Sequence, residues 1–290
     1  HSGYSLFVKH IHRQRAEEGF LCPLVTMYEE LDKFGMEDCN PVATPEEVGG
    51  SFKDSPLLPT ENQFKELVGS LLYLATCSRP DISHAVSIAS RTSQPTQAHW
   101  TSLKRILRYL KRTKELDIRF RWEESKNLIG YSDTDYANDE ERRKSTTGYC
   151  IFYGGGPVAW RCQQQPIVTF STTEAEYVAG CELVKEILPI REQLIELGQL
   201  DEREPTHIFI DNQSTVRIAA NETGQKRTKH IDIREKWLTE QAQKMIKVDH
   251  ISGTEQAADI LTKPLYKSKF IANRSKLLTY ITMALAILSM

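Results

Sequence analysis

Residues Leu128–Tyr136 read LIGYSDTDY, a short apolar run that ends in two carboxylates, Asp133 and Asp135. The run predicts a strand over Leu128–Asp133. A strand with acids at its tip can hold a divalent metal, because hard cations such as Mg²⁺ take oxygen ligands and a rigid strand end fixes where those oxygens sit. The same letters also describe a strand entering an acidic turn, where Asp is common. What lies downstream decides between the two.

Downstream, β-forming residues predict a second strand over Thr146–Tyr153 (TTGYCIFY), closed by Gly154–Gly156. Pro157–Trp160 and Ile167–Ser171 predict a third strand region, with an irregular Gln163–Gln165 stretch beside it. These three read as an antiparallel meander. A helix is expected over Thr173–Leu197, its apolar set including Tyr177, Val184, Ile187, Leu188 and Leu194. Pro189 falls inside it and removes one hydrogen bond, at a cost of about 3 kcal/mol. That cost predicts a kink, or decay of the element. The remaining pattern gives a strand at Thr206–Ile210, helices at Asn212–Ala220 and Ile231–Met245, a strand at Lys247–Ile251, and a last helix at Glu255–Thr262. The order β-β-β-α-β-α-α-β-α implies an α/β fold, a mixed sheet with helices on its faces.

Acids recur at equivalent places in this unit. Asp133 ends the first strand, Glu174 and Glu176 open the first helix, Asp211 ends the fourth strand and Asp259 lies in the last helix. Strand ends and helix starts on one edge of a mixed sheet converge, so these acids can meet. Gathered carboxylates repel and call for cations. Two Mg²⁺ ions about 3.5–4 Å apart would polarise an attacking water and stabilise the leaving oxygen of a phosphoryl displacement. Each acid also has a plainer reading. Asp211 can cap the helix that begins at Asn212. Glu174 and Glu176 can complement a helix dipole. Asp259 can be an exposed helix residue, although Ala257, Ala258, Ile260 and Leu261 flank it with apolar surface.

Upstream, Tyr28–Gly35 reads as helical and Asn40–Pro59 as a linker rich in Pro, Gly, Ser and acids. Three helical segments follow at Phe64–Cys77, at Asp81–Ser93 behind Pro80, and at Gln97–Lys114. The third presents Trp100, Leu103, Ile106, Leu107 and Leu110 on one face. Lys104, Arg105, Arg108, Lys111, Arg112 and Lys114 occupy the rest, with no acid among them. Such a stripe suits a phosphate backbone; a solvated basic face is the alternative.

The 290 residues carry a net charge of −2, so nothing in the whole-chain balance announces nucleic acid, and any basic surface is local. Six scattered cysteines with no CxxC or zinc spacing read as reduced thiols of an intracellular protein. The start at His1 without Met suggests a piece of a longer product. The apolar Leu277–Met290 is shorter than the ~20 residues of a membrane helix, and reads as a packing helix or a read-through tail.

Taken in order, YSDTDYA, RRKSTTGY, FSTTEAEYVA, IDNQS, RTKHIDIR and ADILTKPL resemble the ribonuclease H domain of a copia-type LTR-retrotransposon Pol polyprotein. Upstream, KFGMEDCNPVATP, LVGSLLYLATCSRPDISHAV and HWTSLKRILRYLKRT resemble the end of the reverse transcriptase and its connection in the same family. The resemblance covers about residues 31–270. It implies a ribonuclease H-like fold with a mixed five-stranded sheet, preceded by a small, mostly helical connection. The implied divisions are 1–60 (reverse-transcriptase remnant and linker), 61–125 (helical connection), 126–266 (ribonuclease H-like domain) and 267–290 (atypical tail).

The resemblance also implies hydrolysis of RNA in an RNA–DNA hybrid, leaving 5′-phosphate and 3′-hydroxyl ends, with two Mg²⁺ (or Mn²⁺) held by Asp133, Glu176, Asp211 and Asp259. Asp135 then becomes a neighbour and Glu174 the runner-up to Glu176. His250 is the nearest counterpart of a histidine that aids product release or proton transfer in related enzymes. His230 has no catalytic role that can be derived, and reads as a capping or packing residue. The implied partners are the hybrid, read by shape and 2′-OH, gripped upstream by the Lys104–Lys114 stripe, and the rest of Pol, with its palm and fingers, integrase and protease. No membrane is implied. The implied setting is cytoplasmic, in virus-like particles, or nuclear. Departures stand beside this. No Asp-Asp pair occurs in the chain, so a competent polymerase is not expected, and a non-catalytic relic that keeps the fold is the alternative function.

Overall fold

A computed structural model describes residues 30–59, 61–120, 126–139, 143–220 and 232–280, without the side chains of 232–236 and 243. His230, residues 1–27 and the end of the apolar tail, 281–290, lie outside the described residues. The chain divides into two compact units. Phe120–Lys263 belongs to one, and 30–119 together with 264–280 belongs to the other.

The second unit is mostly helical. It contains α1 (Asn62–Cys77), a 3₁₀ turn (Pro80–Ile82), α2 (Ser83–Ala89), α3 (Gln97–Arg112), β1 (Leu116–Asp117) and, after the other unit, α7 (Lys267–Leu277) and β7 (Thr279–Tyr280). Pro80 sits at the start of its turn, where its missing N–H costs nothing. The apolar face of α3 (Leu103, Ile106, Leu107, Leu110) is buried as its spacing predicts. Arg79 is also buried, chelated by Asp81 at 2.8 and 3.0 Å and donating to Thr113 Oγ1 at 2.6 Å. Residues 267–280, the start of the stretch read from the sequence as an atypical apolar tail, pair with this unit. β7 runs antiparallel to β1, and Phe270 packs edge-on against Tyr109.

The first unit holds a five-stranded sheet in the order β4-β3-β2-β5-β6. Its strands are β2 (Ile129–Asp135), β3 (Thr146–Tyr153), β4 (Gly156–Gln164), β5 (Thr206–Ile210) and β6 (Ile246–His250). β2, β3 and β4 form the antiparallel meander; β5 and β6 run parallel to β2. Helices α4 (Thr172–Glu196), α5 (Gln213–Ala219) and α6 (Asp232–Lys244) accompany the sheet. This is the mixed five-stranded α/β sheet that the sequence leads one to expect. α4 lies across β2 at Gly130, where an added Cβ would meet Leu183 at 2.9 Å and Ile187 at 3.2 Å. Leu183, Val184, Ile187, Ile151 and Ile208 form the core between helix and sheet.

Three elements differ from expectation. β4 runs straight through Gln163 and Gln164, paired to Thr147 and Thr146, and Ile167–Ser171 is not a strand. Pro166 supplies no N–H to continue the ladder, so the chain leaves the sheet there and Phe170 is 86% exposed. α4 continues through Pro189 as one helix. The hydrogen bond lost is to the carbonyl of exposed Lys185, which water can serve. The expected last helix is only a 3₁₀ turn, Ala257–Leu261, at whose start the Gln256 side chain accepts the Ala258 N–H.

That turn rests directly on β3. An added Cβ at Gly148 would lie 2.6 Å from Thr262 Cγ2, 2.8 Å from Leu261 Cβ and 3.1 Å from the Leu261 carbonyl carbon. Gly148→Ala is therefore expected to destabilise the protein by about 1–3 kcal/mol through overpacking, measurable as a lower urea midpoint. An unchanged midpoint would mean that the turn does not rest on Gly148.

Candidate active site

The parallel register decides where two acids meet. Ser132 is the last residue of β2 to pair with β5, opposite Ile210, so the next residues, Asp133 within β2 and Asp211 just past the end of β5, come side by side. The cap of α5 frees Asp211. Asn212, not Asp211, accepts the N–H of Thr215 at 3.0 Å. Glu176 comes from the second turn of α4. Its start is fixed by Ser171, which accepts the Glu174 N–H, by Gln165 Nε2 donating to the Ala175 carbonyl at 2.9 Å, and by Thr215 Oγ1 donating to the Thr173 carbonyl. Glu174 turns back and accepts the Phe170 N–H at 2.7 Å, a helix-start role. Glu176 instead lies in the interior, 6% exposed.

One ligand oxygen from each of Asp133, Glu176 and Asp211 falls within 4.8 Å of the others. Asp259, carried by the 3₁₀ turn, is 1% exposed and is held by Lys263, whose Nζ lies 2.5 Å from its Oδ1 and 3.4 Å from Asp133 Oδ2. Asp259 is thus no exposed helix residue. Asp135 ends β2, half-buried opposite Thr146, and does not join the trio. His250 ends β6 with an exposed ring, its Nε2 3.2 Å from the Asp211 carbonyl, to which it donates.

The electrostatics follow from crowding acids in low dielectric. Burial pushes the Asp133 carboxyl up to about 7, with Lys263 pulling it back and Asp259 and Asp211 pushing it further. Burial, then Asp133 and Asp211, hold Glu176 well above the usual carboxylate range. Burial raises Asp211 too, against Lys263. Burial works against the Lys263 charge, but Asp133 and Asp259 outweigh it and hold the ammonium above its ordinary value. Glu176 Oε2 is buried with no hydrogen-bond partner. An all-oxygen donor set with a buried orphan carboxylate oxygen fits a hard divalent cation.

Among known proteins, the Pol polyprotein of transposon TNT 1-94 from Nicotiana tabacum is 39% identical over 252 residues, covering 83% of this chain and 19% of that one. The Pol polyprotein of transposon RE2 from Arabidopsis thaliana is 36% identical over 244 residues, covering 83% of this chain and 17% of its own. The chain belongs to the copia-type retrotransposon Pol polyproteins. It spans less than a fifth of the length of these relatives. No family model matches it. LC11-RNase H1, isolated from compost and solved in complex with an RNA/DNA hybrid, is 16% identical with a TM-score of 0.35, covering 47% of this chain and 94% of that one. Within this Pol segment the acid trio lies in the five-stranded sheet unit.

The basic stripe of the Pol segment needs correction. It is not unopposed. Arg105 Nη1 pairs with Glu47 at 2.5 Å, Arg108 Nε donates to the Asn40 carbonyl at 2.6 Å, and Lys111 Nζ donates to the carbonyls of Glu37 and Cys39. Lys104 lies over the Trp100 ring, 5.8 Å from its centroid. Half of the stripe thus holds the 37–47 segment; Arg112 and Lys114 are exposed.

Sequence reasoning missed three site residues. Lys263 follows Asp259 by four positions, a spacing that could have flagged it. Thr262 Oγ1 donates to Asp133 Oδ2, and Gln256 Nε2 donates to the Ser132 carbonyl at 2.9 Å. Neither of those carries a local signal, because both contacts cross more than a hundred residues.

Proposed function

We propose that this domain hydrolyses the RNA strand of an RNA–DNA hybrid by metal-assisted phosphodiester cleavage. The observation that carries the reading is the trio Asp133, Glu176 and Asp211, with oxygens within 4.8 Å and one of them, Glu176 Oε2, buried and without a partner. These residues would hold Mg²⁺ or Mn²⁺, with Asp259 the fourth carboxylate of a two-ion arrangement. Bound there, such ions activate water and neutralise the leaving oxygen. The chain's own groups do the rest. Thr262 fixes the orientation of Asp133, and Gln256 clamps the 3₁₀ turn to the strand that carries it. His250 donates Nε2–H to the Asp211 carbonyl, which holds its ring at the edge of the site beside Asp211. The hybrid would be met by shape and by its 2′-hydroxyls, in the setting of a full Pol polyprotein.

The test is cleavage of a labelled hybrid with Mg²⁺. The wild type is expected to cut the RNA strand, and Asp133→Asn to leave it intact. No cleavage by folded wild-type protein would sink the enzymatic reading in favour of a fold-retaining relic. Activity lost in Asp135→Asn but kept in Asp133→Asn would overturn the residue assignment.

A further inference from the structure

The four carboxylates are not served alike. On one side, Asp133, Glu176 and Asp211 approach one another and Glu176 Oε2 is left without a partner. On the other side, Asp133 and Asp259 already share a cation, the Lys263 ammonium, at 3.4 and 2.5 Å. Its position is imposed by the backbone. The 3₁₀ turn ends at Leu261, Thr262 Oγ1 donates to Asp133 Oδ2 and lies 3.1 Å from the Asp259 carbonyl oxygen, and the next residue, Lys263, sets its ammonium against both carboxylates. The side chain is two-thirds covered, so its charge acts through little water.

Resting on the metal-binding reading above, we propose that Lys263 is a tethered counter-ion that closes the Asp133–Asp259 half of the site. The free domain then takes one divalent ion, at Asp133, Glu176 and Asp211. A second must compete with the Lys263 ammonium for Asp259. Lys263 is a positioning residue, acting through the carboxylates it holds. A cation at this place has two effects. It lets four acids coexist in the metal-free protein, and it weakens the second ion by like-charge repulsion and by occupying the oxygen that ion would use.

Mn²⁺ titration by calorimetry, with bound ions counted by the loss of the free-ion resonance signal, tests this without any substrate. Wild type is expected to bind one Mn²⁺ per chain, with a second at least tenfold weaker. Lys263→Met is expected to bind two, the second strengthened at least tenfold, and Lys263→Arg to behave as wild type. Melting adds a second readout. Metal-free Lys263→Met should melt below wild type and show the larger rise on adding Mn²⁺; a variant that folds only with Mn²⁺ counts as that outcome. Equal stoichiometry and affinity in wild type and Lys263→Met, or two tight ions in wild type, would overturn the proposal while leaving the metal site standing. No Mn²⁺ bound by folded wild type would overturn the metal-binding reading itself.

Discussion

Glu176→Gln is expected to lower hybrid cleavage by a factor on the order of 10² to 10³ while raising the melting temperature of the metal-free protein. The first effect is the loss of a ligand for an ion that supplies several kcal/mol of transition-state stabilisation, where each tenfold in rate corresponds to about 1.4 kcal/mol. The second has a separate cause. Glu176 is 6% exposed, one of its oxygens has no partner, and it shares its pocket with Asp133 and Asp211. Folding at neutral pH must either desolvate its charge or bind a proton to it, and a neutral amide removes that requirement. The gain is put at about 1–3 kcal/mol, less whatever the amide loses by lacking partners of its own. Metal-free melting curves at pH 7.5 beside a hybrid-cleavage assay measure both. A variant that is less stable and still active would show that Glu176 supports the fold and not the chemistry.

The second large effect is a pH slope opposite to that of most carboxylate-stabilised proteins. Asp133 is raised from an ordinary value of 3.8 to about 7, and Glu176 is raised with it. The folded state therefore binds more protons than the unfolded chain, and stability falls as pH rises from about 4 through the Asp133 value of about 7 and on until Glu176 has also given up its proton. For Asp133 the rise from 3.8 to about 7 corresponds to roughly 4 kcal/mol. Saturating Mg²⁺ is expected to reverse the slope, because the ion binds only the deprotonated carboxylates of the folded state and stabilises more as pH rises. Urea midpoints at pH 5, 6, 7 and 8, with chelator and with Mg²⁺, provide the measurement. Parallel curves in the two conditions would mean that the carboxylates do not bind the ion.

The strands were readable because their residues are β-formers in runs of the right length, and Thr146–Tyr153 agrees to the residue. The meeting of Asp133 with Asp211 follows from parallel pairing of β2 and β5, which the alternating element order suggested. What escaped notice is what the fold brings from far away. A helix whose cations face no acid in its own sequence reads as free, yet Arg108 and Lys111 bind backbone carbonyls of residues 37–40, and a carbonyl has no letter in the sequence. Gly148 read only as one letter in a strand. Its function, letting the 3₁₀ turn lie against β3, exists only once residues 261 and 262 are there. Ala257–Leu261 was expected as part of a longer helix because its apolar letters fit one, and the Gln256 side chain took the place of the first turn.

The way the chain is divided sets an order in time. The sheet unit is complete when Lys263 has been made, but the helical unit lacks β7, which pairs with β1, and Arg274, which sits by Tyr109, until residue 280. On a ribosome working from the N-terminus, the later-finished unit is the one begun first. Its α1, α2 and α3 are synthesised and then wait through more than a hundred residues for their last partners. A release of nascent chain just after residue 263 would leave a finished sheet unit, and helices that still lack β7 and Arg274.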